Sequence, residues 1–327
     1  MKKLMLALLC LCLAAPVAAA EARMFDYRFA DAQETARLLP GNRAYYEQLT
    51  QNDLDFRMQK KGATLEELEA FAAAQARDYT DAEKAAIDSA MAAIEDACAG
   101  RGYALPPTEG IVFAKTTMAE ECDAGAYTHG TQIYMGESIM AYGTMDDPDA
   151  QAFFREIVAH ELFHCLTRNH PDFRAAMYGV LGFTVADADF ELSDAIRERM
   201  ISNPDVGHHD AWATFDIDGE ARDCVVVFTT GKPFEQPGDS FFDDMVTGLV
   251  PIDDLSTMYV SDDASNFWDV FGRNTDYVID PEETLADNFS FAILYGLDDP
   301  AGYATPGIIE AIGAILQGYA EETAEAA

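Results

Sequence analysis

The segment that most constrains this chain is Ile157–Leu166, which carries His160 and His164 four residues apart. In a helix, this spacing places both imidazoles on one face, one turn apart. Two neutral imidazoles in that arrangement can bind one Zn²⁺, and Glu161 beside them is placed to accept a proton from a water that the metal activates. The simpler alternative is a pair of core histidines that bond to the backbone, and the surrounding residues favour the metal site.

The residues around the two histidines predict a long and buried helix. Asp147 suits the N-cap, and Pro148 suits the first helical position. Apolar residues then cover most of the helix surface: Phe153, Phe154, Ile157, Val158, Leu162 and Leu166. Because a helix that is apolar on nearly all faces is buried, we expect both histidines to lie below the protein surface and to face a cleft.

A catalytic zinc site needs a third protein ligand and one open position, and the chain offers two candidates for that ligand. Glu283 belongs to a helix predicted to begin at Asp280–Pro281, and Asp287 lies four residues later on the same face. His170 follows His164 by six positions. We favour Glu283 and keep His170 as the alternative.

The motif formed by His160, Glu161 and His164 is the H-E-x-x-H arrangement of zinc metallopeptidases. The acidic helix downstream resembles the second metal helix of the gluzincins. This resemblance implies a zincin-like catalytic fold in which Glu283 is the third ligand and Asp287 orients a ligating histidine. The interval between His164 and Glu283 is longer than in thermolysin-like enzymes, which implies an inserted subdomain.

The same resemblance assigns roles in the reaction. Tyr277, just upstream of the acidic helix, is similar to the tyrosine that some gluzincins direct at the scissile carbonyl. It is therefore expected to hydrogen-bond the developing oxyanion, with Arg273 as an alternative donor. Glu161 is expected to act as the general base and then to pass its proton to the leaving amine.

The spacing from His160 to His170 also resembles the extended motif of the metzincins, another group of zinc peptidases. Ser256–Tyr259 is similar to the Met-turn of that group. The chain departs from the metzincin pattern at Thr167, where glycine usually lets the helix stop and the chain turn back. A β-branched threonine resists the positive φ that such a turn needs, which favours Glu283 over His170.

The sequence predicts an α+β fold that is mainly helical. Residues 21–107 are expected to form a helical N-terminal region, which serves either as a support domain or as a covering pro-segment; we favour support. Residues 108–327 are expected to form a zincin-like metallopeptidase domain with a small mixed sheet. This domain contains a metal helix, a second helix with the ligand glutamate, and an inserted β-containing subdomain at about 171–276.

Two strand-like runs precede the metal helix, at residues 110–114 and 129–135. By the same resemblance, the second run is in the place of the strand that edges the cleft and pairs with extended substrate, although an ordinary buried strand fits it equally well. In the predicted insertion, Asp218–Gly219 lies between two further strand-like runs and predicts a hairpin turn.

Residues 1–20 have the pattern of a bacterial signal peptide, with Lys2 and Lys3, an apolar run and a small-residue end. The mature protein is therefore expected to be secreted or periplasmic. Four cysteines follow this segment: Cys98, Cys122, Cys165 and Cys224. An even number of cysteines in an exported chain suits two disulfides, with free buried thiols as the alternative.

The net charge of −37 makes nucleic acids and anionic membrane surfaces poor partners. The acidic residues are dispersed along the chain, which favours a role in solubility over recognition of a basic ligand. After the signal peptide, no apolar run reaches the roughly 18 residues that a membrane span needs, so we expect no stable membrane insertion. The sequence does not define an oligomeric state.

Together these features predict an exported zinc-dependent metallopeptidase that acts on a peptide or protein substrate. Two alternatives remain open. One is a zinc amidase that cleaves a non-peptide amide, such as a cell-wall link. The other is a non-catalytic exported zinc-binding protein, in which a fourth protein ligand such as Cys165, His170 or His129 would close the site.

Overall fold

Helices and two small β-sheets build this chain in the computed structural model, which describes residues 24–298 and 302–326. The predicted signal peptide, residues 1–20, lies outside these described residues. The fold is mixed α+β and mainly helical, which confirms that part of the sequence prediction. Within the described residues, no helix is both long enough and apolar enough to cross a membrane.

The helices and strands are numbered in chain order. The described residues form twelve α-helices: α1 (Ala32–Leu38), α2 (Arg43–Tyr46), α3 (Gln51–Met58), α4 (Leu65–Ala74), α5 (Asp81–Arg101), α6 (Glu137–Thr144), α7 (Pro148–Asn169), α8 (Pro171–Val180), α9 (Asp194–Arg197), α10 (Phe267–Phe271), α11 (Pro281–Leu294) and α12 (Pro306–Ala326). The same residues form ten strands: β1 (Tyr27–Phe29), β2 (Ala76–Arg77), β3 (Ile111–Thr116), β4 (Ala126–His129), β5 (Gln132–Gly136), β6 (Thr184–Val185), β7 (Ala211–Ile217), β8 (Glu220–Thr230), β9 (Met245–Pro251) and β10 (Tyr259–Val260).

The first sheet contains strands from both sides of the predicted boundary at residue 107. Its strands lie in the order β1-β3-β5-β4, and β2 also pairs with β3. β1 and β5 run parallel to β3, whereas β2 is antiparallel to β3 and β4 is antiparallel to β5. Because β1 and β2 come from the N-terminal region, that region shares a sheet with the strands that precede the metal helix.

The run at residues 129–135, predicted as one strand, contains the turn of a hairpin. β4 ends at His129 and β5 begins at Gln132. Gly130 between them has a φ of +61°, a conformation that glycine adopts without strain and that allows the chain to reverse. As a result, the strand at the edge of the sheet is β4, which packs along α7.

The second sheet is formed entirely within the predicted insertion. Its five strands are antiparallel, in the order β10-β9-β8-β7-β6. The hairpin between β7 and β8 turns at Asp218–Gly219, where both residues have positive φ. This confirms the predicted turn, because two such residues match the right-handed twist of the flanking strands.

The two predicted metal helices, α7 and α11, pack directly against each other in the core. α7 begins after the N-cap Asp147 and α11 after the N-cap Asp280, each with proline at the first position. Phe163 of α7 and Phe289 of α11 are fully buried, and their ring centroids lie 5.1 Å apart. This contact holds the two helices so that the faces with the predicted metal ligands point toward each other.

All four described cysteines have free thiols, whereas the sequence led us to expect two disulfides. Cys98 in α5, Cys165 in α7 and Cys224 in β8 are buried in the main hydrophobic core, where each packs as a small apolar side chain. Burial raises the pKa of the Cys98 and Cys224 thiols to about 12. These thiols are therefore protonated and unreactive at neutral pH.

Candidate metal centre

Three buried side chains converge between α7 and α11: His160, His164 and Glu283. Their possible ligand atoms all lie within 4.8 Å of one another. The Glu283 Oε2 atom is 3.1 Å from His160 Nε2 and 3.7 Å from His164 Nε2. These three residues, called the candidate metal centre below, are the ones that the gluzincin resemblance implied as ligands.

Each histidine also contacts a further carboxylate through its Nδ1 atom. The Nδ1 atom of His160 lies 2.8 Å from Asp287 Oδ1, and that of His164 lies 3.0 Å from Glu282 Oε1. A carboxylate at Nδ1 fixes the ring orientation and leaves Nε2 to bind a metal. The role implied for Asp287 therefore fits its position, whereas sequence reasoning did not assign this role to Glu282.

Glu282 is buried and belongs to a polar network under His164. Its Oε2 atom accepts a hydrogen bond of 2.9 Å from the Tyr178 hydroxyl, and its Oε1 atom accepts one from Thr167. From the sequence, Glu282 could replace Glu283 as the third ligand, but it lacks the four-residue relation to Asp287. The sequence feature that could have indicated this polar network was Thr167, a polar residue one turn after His164 on a helix predicted to be buried.

The residues of the candidate metal centre fit a metal ion. His164 Nε2 is fully buried and has no hydrogen-bond partner among the described residues. A buried polar atom without a partner is rare and costly, and a cation held also by His160 and Glu283 would supply the missing contact. Two imidazole nitrogens and one carboxylate form a donor set that Zn²⁺ uses in catalytic sites.

The pKa values of the ionisable groups in the centre depend on one another. Burial disfavours protonation of His160, but its hydrogen bonds with Asp287 and Glu283 outweigh burial and raise its pKa well above the usual value. Burial would raise the pKa of Glu283, but its contacts with His160 and His164 lower it. The raised pKa of His160 favours a protonated imidazole, and a metal ion that binds there would displace this proton.

Glu161 points from the metal helix toward the edge strand β4. Its Oε2 atom accepts a hydrogen bond of 2.7 Å from the Thr128 hydroxyl. Burial raises the pKa of the Glu161 carboxyl, which moves it toward the range of a general base at neutral pH. The structure thus places Glu161 beside the candidate metal centre with its carboxylate held by a neighbouring side chain.

The segment Ser202–Asp205, which lies between β6 and β7, also contacts the centre. Asn203 donates a hydrogen bond to Glu283, and the Asp205 carboxylate lies within 4.8 Å of both Glu161 and His164. The sequence Asn203–Pro204–Asp205 indicates only a turn here. Asn203 and Glu283 are separated by 80 positions, so no local pattern could indicate this contact.

A cavity of about 370 Å³ opens beside the centre. Its lining includes His160, Glu161, Glu283 and Tyr277. Tyr277 is 38% exposed, and the centroid of its ring lies 6.4 Å from that of the His160 ring. Tyr277 therefore lies at the cavity, whereas the Arg273 guanidinium stacks 4.6 Å from the Trp268 ring and does not line the cavity.

His170 lies away from the candidate metal centre. Helix α7 continues to Asn169, and His170 then joins it to α8. The His170 Nε2 atom is 3.1 Å from the Thr108 hydroxyl. Because Thr167 does not end the helix, the chain does not turn back toward the metal ligands, and the Met-turn candidate Met258 packs against the second sheet instead.

The other residues considered as a fourth ligand are also engaged elsewhere. Cys165 is part of the main hydrophobic core. His129 packs between aromatic rings, with its centroid 4.8 Å from that of Tyr45 and 5.4 Å from that of Tyr127. Neither joins the groups of ligating side chains found among the described residues.

Comparison of the chain with protein-family models, with curated proteins and with solved structures found no match. Its function is therefore inferred from the site. That site combines three convergent ligand side chains, a buried carboxylate beside them and an adjoining cavity. Side chains of this kind can hold a metal ion, and a carboxylate beside a metal can accept a proton from a water that the metal activates.

Proposed function

We propose that this protein is an exported zinc-dependent metallopeptidase with a gluzincin-like centre. The observation that carries the proposal is the convergence of His160, His164 and Glu283, with a carboxylate at the Nδ1 atom of each histidine. The signal-peptide pattern of residues 1–20 supports a periplasmic or secreted location. The substrate is a peptide or a protein.

The chain's own residues account for the proton transfers of amide hydrolysis. Bound zinc would lower the pKa of a water and polarise the scissile carbonyl. Glu161, oriented by Thr128, accepts the proton of the attacking water and then donates it to the leaving amine. Tyr277 at the cavity donates a hydrogen bond to the oxygen on which negative charge develops.

The edge strand β4 supports a peptide as the substrate. The Thr128 N–H donates to Asp205 and the Thr128 C=O accepts from Arg168, so both groups point away from β5. Since N–H and C=O groups alternate in direction along an antiparallel strand, those of Ala126 point the same way. Ala126 also lines the cavity, where an extended peptide can pair with it.

A non-catalytic zinc-binding protein is the second candidate, and one observation favours it. The Asp205 carboxylate lies within 4.8 Å of possible ligand atoms of His164 and Glu161. A small shift of the Ser202–Asp205 segment would bring a fourth protein ligand to the metal and close the site. The cavity beside Tyr277 favours the enzyme.

The substitution Glu161→Gln tests the proposal. It removes the base but leaves all three ligands, so zinc content should stay near that of the wild type while turnover falls by about 10²-fold or more. Zinc is measured by elemental analysis, and cuts in a complex peptide library are mapped by mass spectrometry. The exposed carboxyl of Glu198 provides the control Glu198→Gln, which should retain activity.

Each other outcome has a definite meaning. Peptide cleavage that survives Glu161→Gln would reject the assigned mechanism. Zinc binding without any cut by the wild type would reject the peptidase and leave two alternatives. Release of amines from cell-wall fragments would then identify the amidase, and its absence would favour the binding protein.

A further inference from the structure

We propose that the cavity selects peptides with a large apolar side chain beside the scissile bond, and that it disfavours a carboxylate at that place. The protein would then cut within peptides or near their amino end, and would not release C-terminal residues. This inference rests on the proposed peptidase function and names its substrate class. It is based on the apolar wall of the cavity and on Arg57, which supplies the single guanidinium in the lining and is already engaged by other residues.

The apolar wall consists of six residues, most of them from the predicted insertion: Ile201, Phe228, Phe241, Phe242, Met245 and Ile279. Its buried part is closely packed. The ring of Phe241 lies 6.1 Å from that of Phe228 and 5.8 Å from that of Phe56, both in edge-to-face contact. Aromatic side chains that pack in this way present a fixed surface to a ligand.

The outer part of the cavity is apolar but uncovered. Phe242 is 44% exposed and Met245 is 42% exposed. Among the described residues, eight large apolar or aromatic side chains are exposed, and three of them, Phe242, Met245 and Tyr277, line this cavity. Because exposed apolar surface gathered in a concave site marks a place for ligand binding, an apolar substrate side chain is the occupant that it fits.

The occupant lies next to the reacting bond. His160, Glu161 and Tyr277 line the same cavity as Phe242 and Met245. A side chain that covers the apolar wall therefore belongs to a residue beside the carbonyl that the metal centre attacks. The volume of about 370 Å³ lies within the range of small-ligand pockets, so it takes a single large side chain with the adjoining backbone.

The cavity lacks a free cation to receive a carboxylate. Arg57 is the only lysine or arginine among the lining residues. Its guanidinium is buried, and its donors are occupied by Asp53 at 3.0 Å, Glu121 at 2.7 Å and the Ser202 carbonyl at 2.6 Å. The carboxylate of Asp123 is exposed at the cavity, so a substrate carboxylate would meet repulsion and no partner.

The test compares matched peptides with phenylalanine or alanine beside a mapped cut. For the phenylalanine peptide, Phe242→Ala and Met245→Ala should each lower kcat/KM by about tenfold or more, and for the alanine peptide the change should be small. Both side chains are exposed, so the fold tolerates their removal. Phe153, 40% exposed and outside the cavity, provides the control Phe153→Ala.

A binding measurement gives the same test without turnover. Hydroxamates of phenylalanine, alanine and aspartate are titrated into the zinc-loaded protein by calorimetry. The phenylalanine compound should bind about tenfold more tightly than the alanine compound, the aspartate compound should bind most weakly, and Phe242→Ala should remove the preference. Equal affinities for the three compounds would overturn the inference.

The results separate the inference from the function on which it rests. Cuts without an apolar preference, or preferential release of C-terminal residues, would overturn the inference and leave the peptidase in place. Absence of any cut by the zinc-loaded wild type would reject the peptidase, and hydroxamate binding would still decide whether the cavity prefers apolar groups.

Discussion

At the scale of single residues, the hydrogen bonds at Nδ1 decide where the ligands point. Asp287 holds His160 and Glu282 holds His164, so each ring directs Nε2 toward the candidate metal centre. A carboxylate in this position also makes the imidazole a more basic ligand. In the proposed zinc site, the two acids would therefore strengthen metal binding without contributing a ligand atom.

The substitution Glu282→Gln is expected to weaken zinc binding without removing a ligand. The loss of charge beside His164 should raise the zinc Kd by about 10- to 100-fold, and Asp287→Asn should act similarly through His160. Competition with a chromophoric chelator measures both effects. Glu310→Gln, on the exposed face of α12, should bind zinc as the wild type does; equal affinity for Glu282→Gln would contradict the role given to Glu282.

The sequence could indicate only part of this arrangement. Glu283 and Asp287 were visible because residues four apart share one helix face. Glu282 has no such relation to a second acid, and only the packing of α11 on α7 turns it toward His164. Asp205 reaches Thr128 across 77 positions of sequence, so its place depends on the assembled fold.

At the scale of elements, the packing of α7 on α11 holds the ligands together. Phe289→Ala removes the buried ring against Phe163 and should lower the free energy of unfolding by about 3–5 kcal/mol. Urea denaturation with zinc and with a chelator measures this loss. The stabilisation that zinc adds should also shrink, because helices that are less well fixed bind the ion more weakly.

A matched control exists on another face of the same helix. Phe291 is half-buried and packs against Tyr303. Phe291→Ala should therefore cost less stability than Phe289→Ala and should leave the zinc-dependent part unchanged. An equal loss of zinc stabilisation in both variants would show that the Phe163 contact does not position the ligands.

Local chemistry allowed the helix starts and one turn to be predicted. Asp147–Pro148 and Asp280–Pro281 begin α7 and α11, and Asp218–Gly219 forms the β7–β8 turn. The residue types of the run 129–135 suit a single strand, whereas Gly130 with its positive φ turns the chain between β4 and β5. The pairing of β1 with β3 joins residues far apart in the chain, and no local pattern indicates it.

At the scale of the whole molecule, buried charges join the N-terminal region to the cavity. Arg57 of α3 is enclosed together with Asp53 and Glu121, and Glu121 also lines the cavity. Burial raises the pKa of Glu121 from 4.5 to about 7, although Arg57 acts in the opposite direction. The folded protein therefore retains a proton on Glu121 where the unfolded chain has released it.

This retained proton makes stability depend on pH. The Glu121 contribution is fully present below pH 4.5 and declines as the pH rises to about 7. The total change amounts to about 3 kcal/mol. In Glu121→Gln this component should be missing, so the free energy of unfolding should fall less steeply between these pH values. Urea denaturation across the pH range measures both slopes.

The exposed neighbour Asp123 supplies the comparison for that experiment. Asp123→Asn removes one carboxyl from the same loop and should leave the slope of the wild type. A slope in Glu121→Gln equal to that of the wild type would show that another group carries the pH dependence.

The Ser202–Asp205 segment also sets the order in which the centre can form. Asp53 and Arg57 hold Ser202 through contacts that span 149 and 145 positions, and Asn203 reaches forward to Glu283. Contacts between such distant residues close large loops and form late in folding. A ribosome-bound chain that ends before α11 has two histidines but no third ligand. The complete candidate centre therefore belongs to the finished fold, and a metal that needs all three ligands would bind after folding.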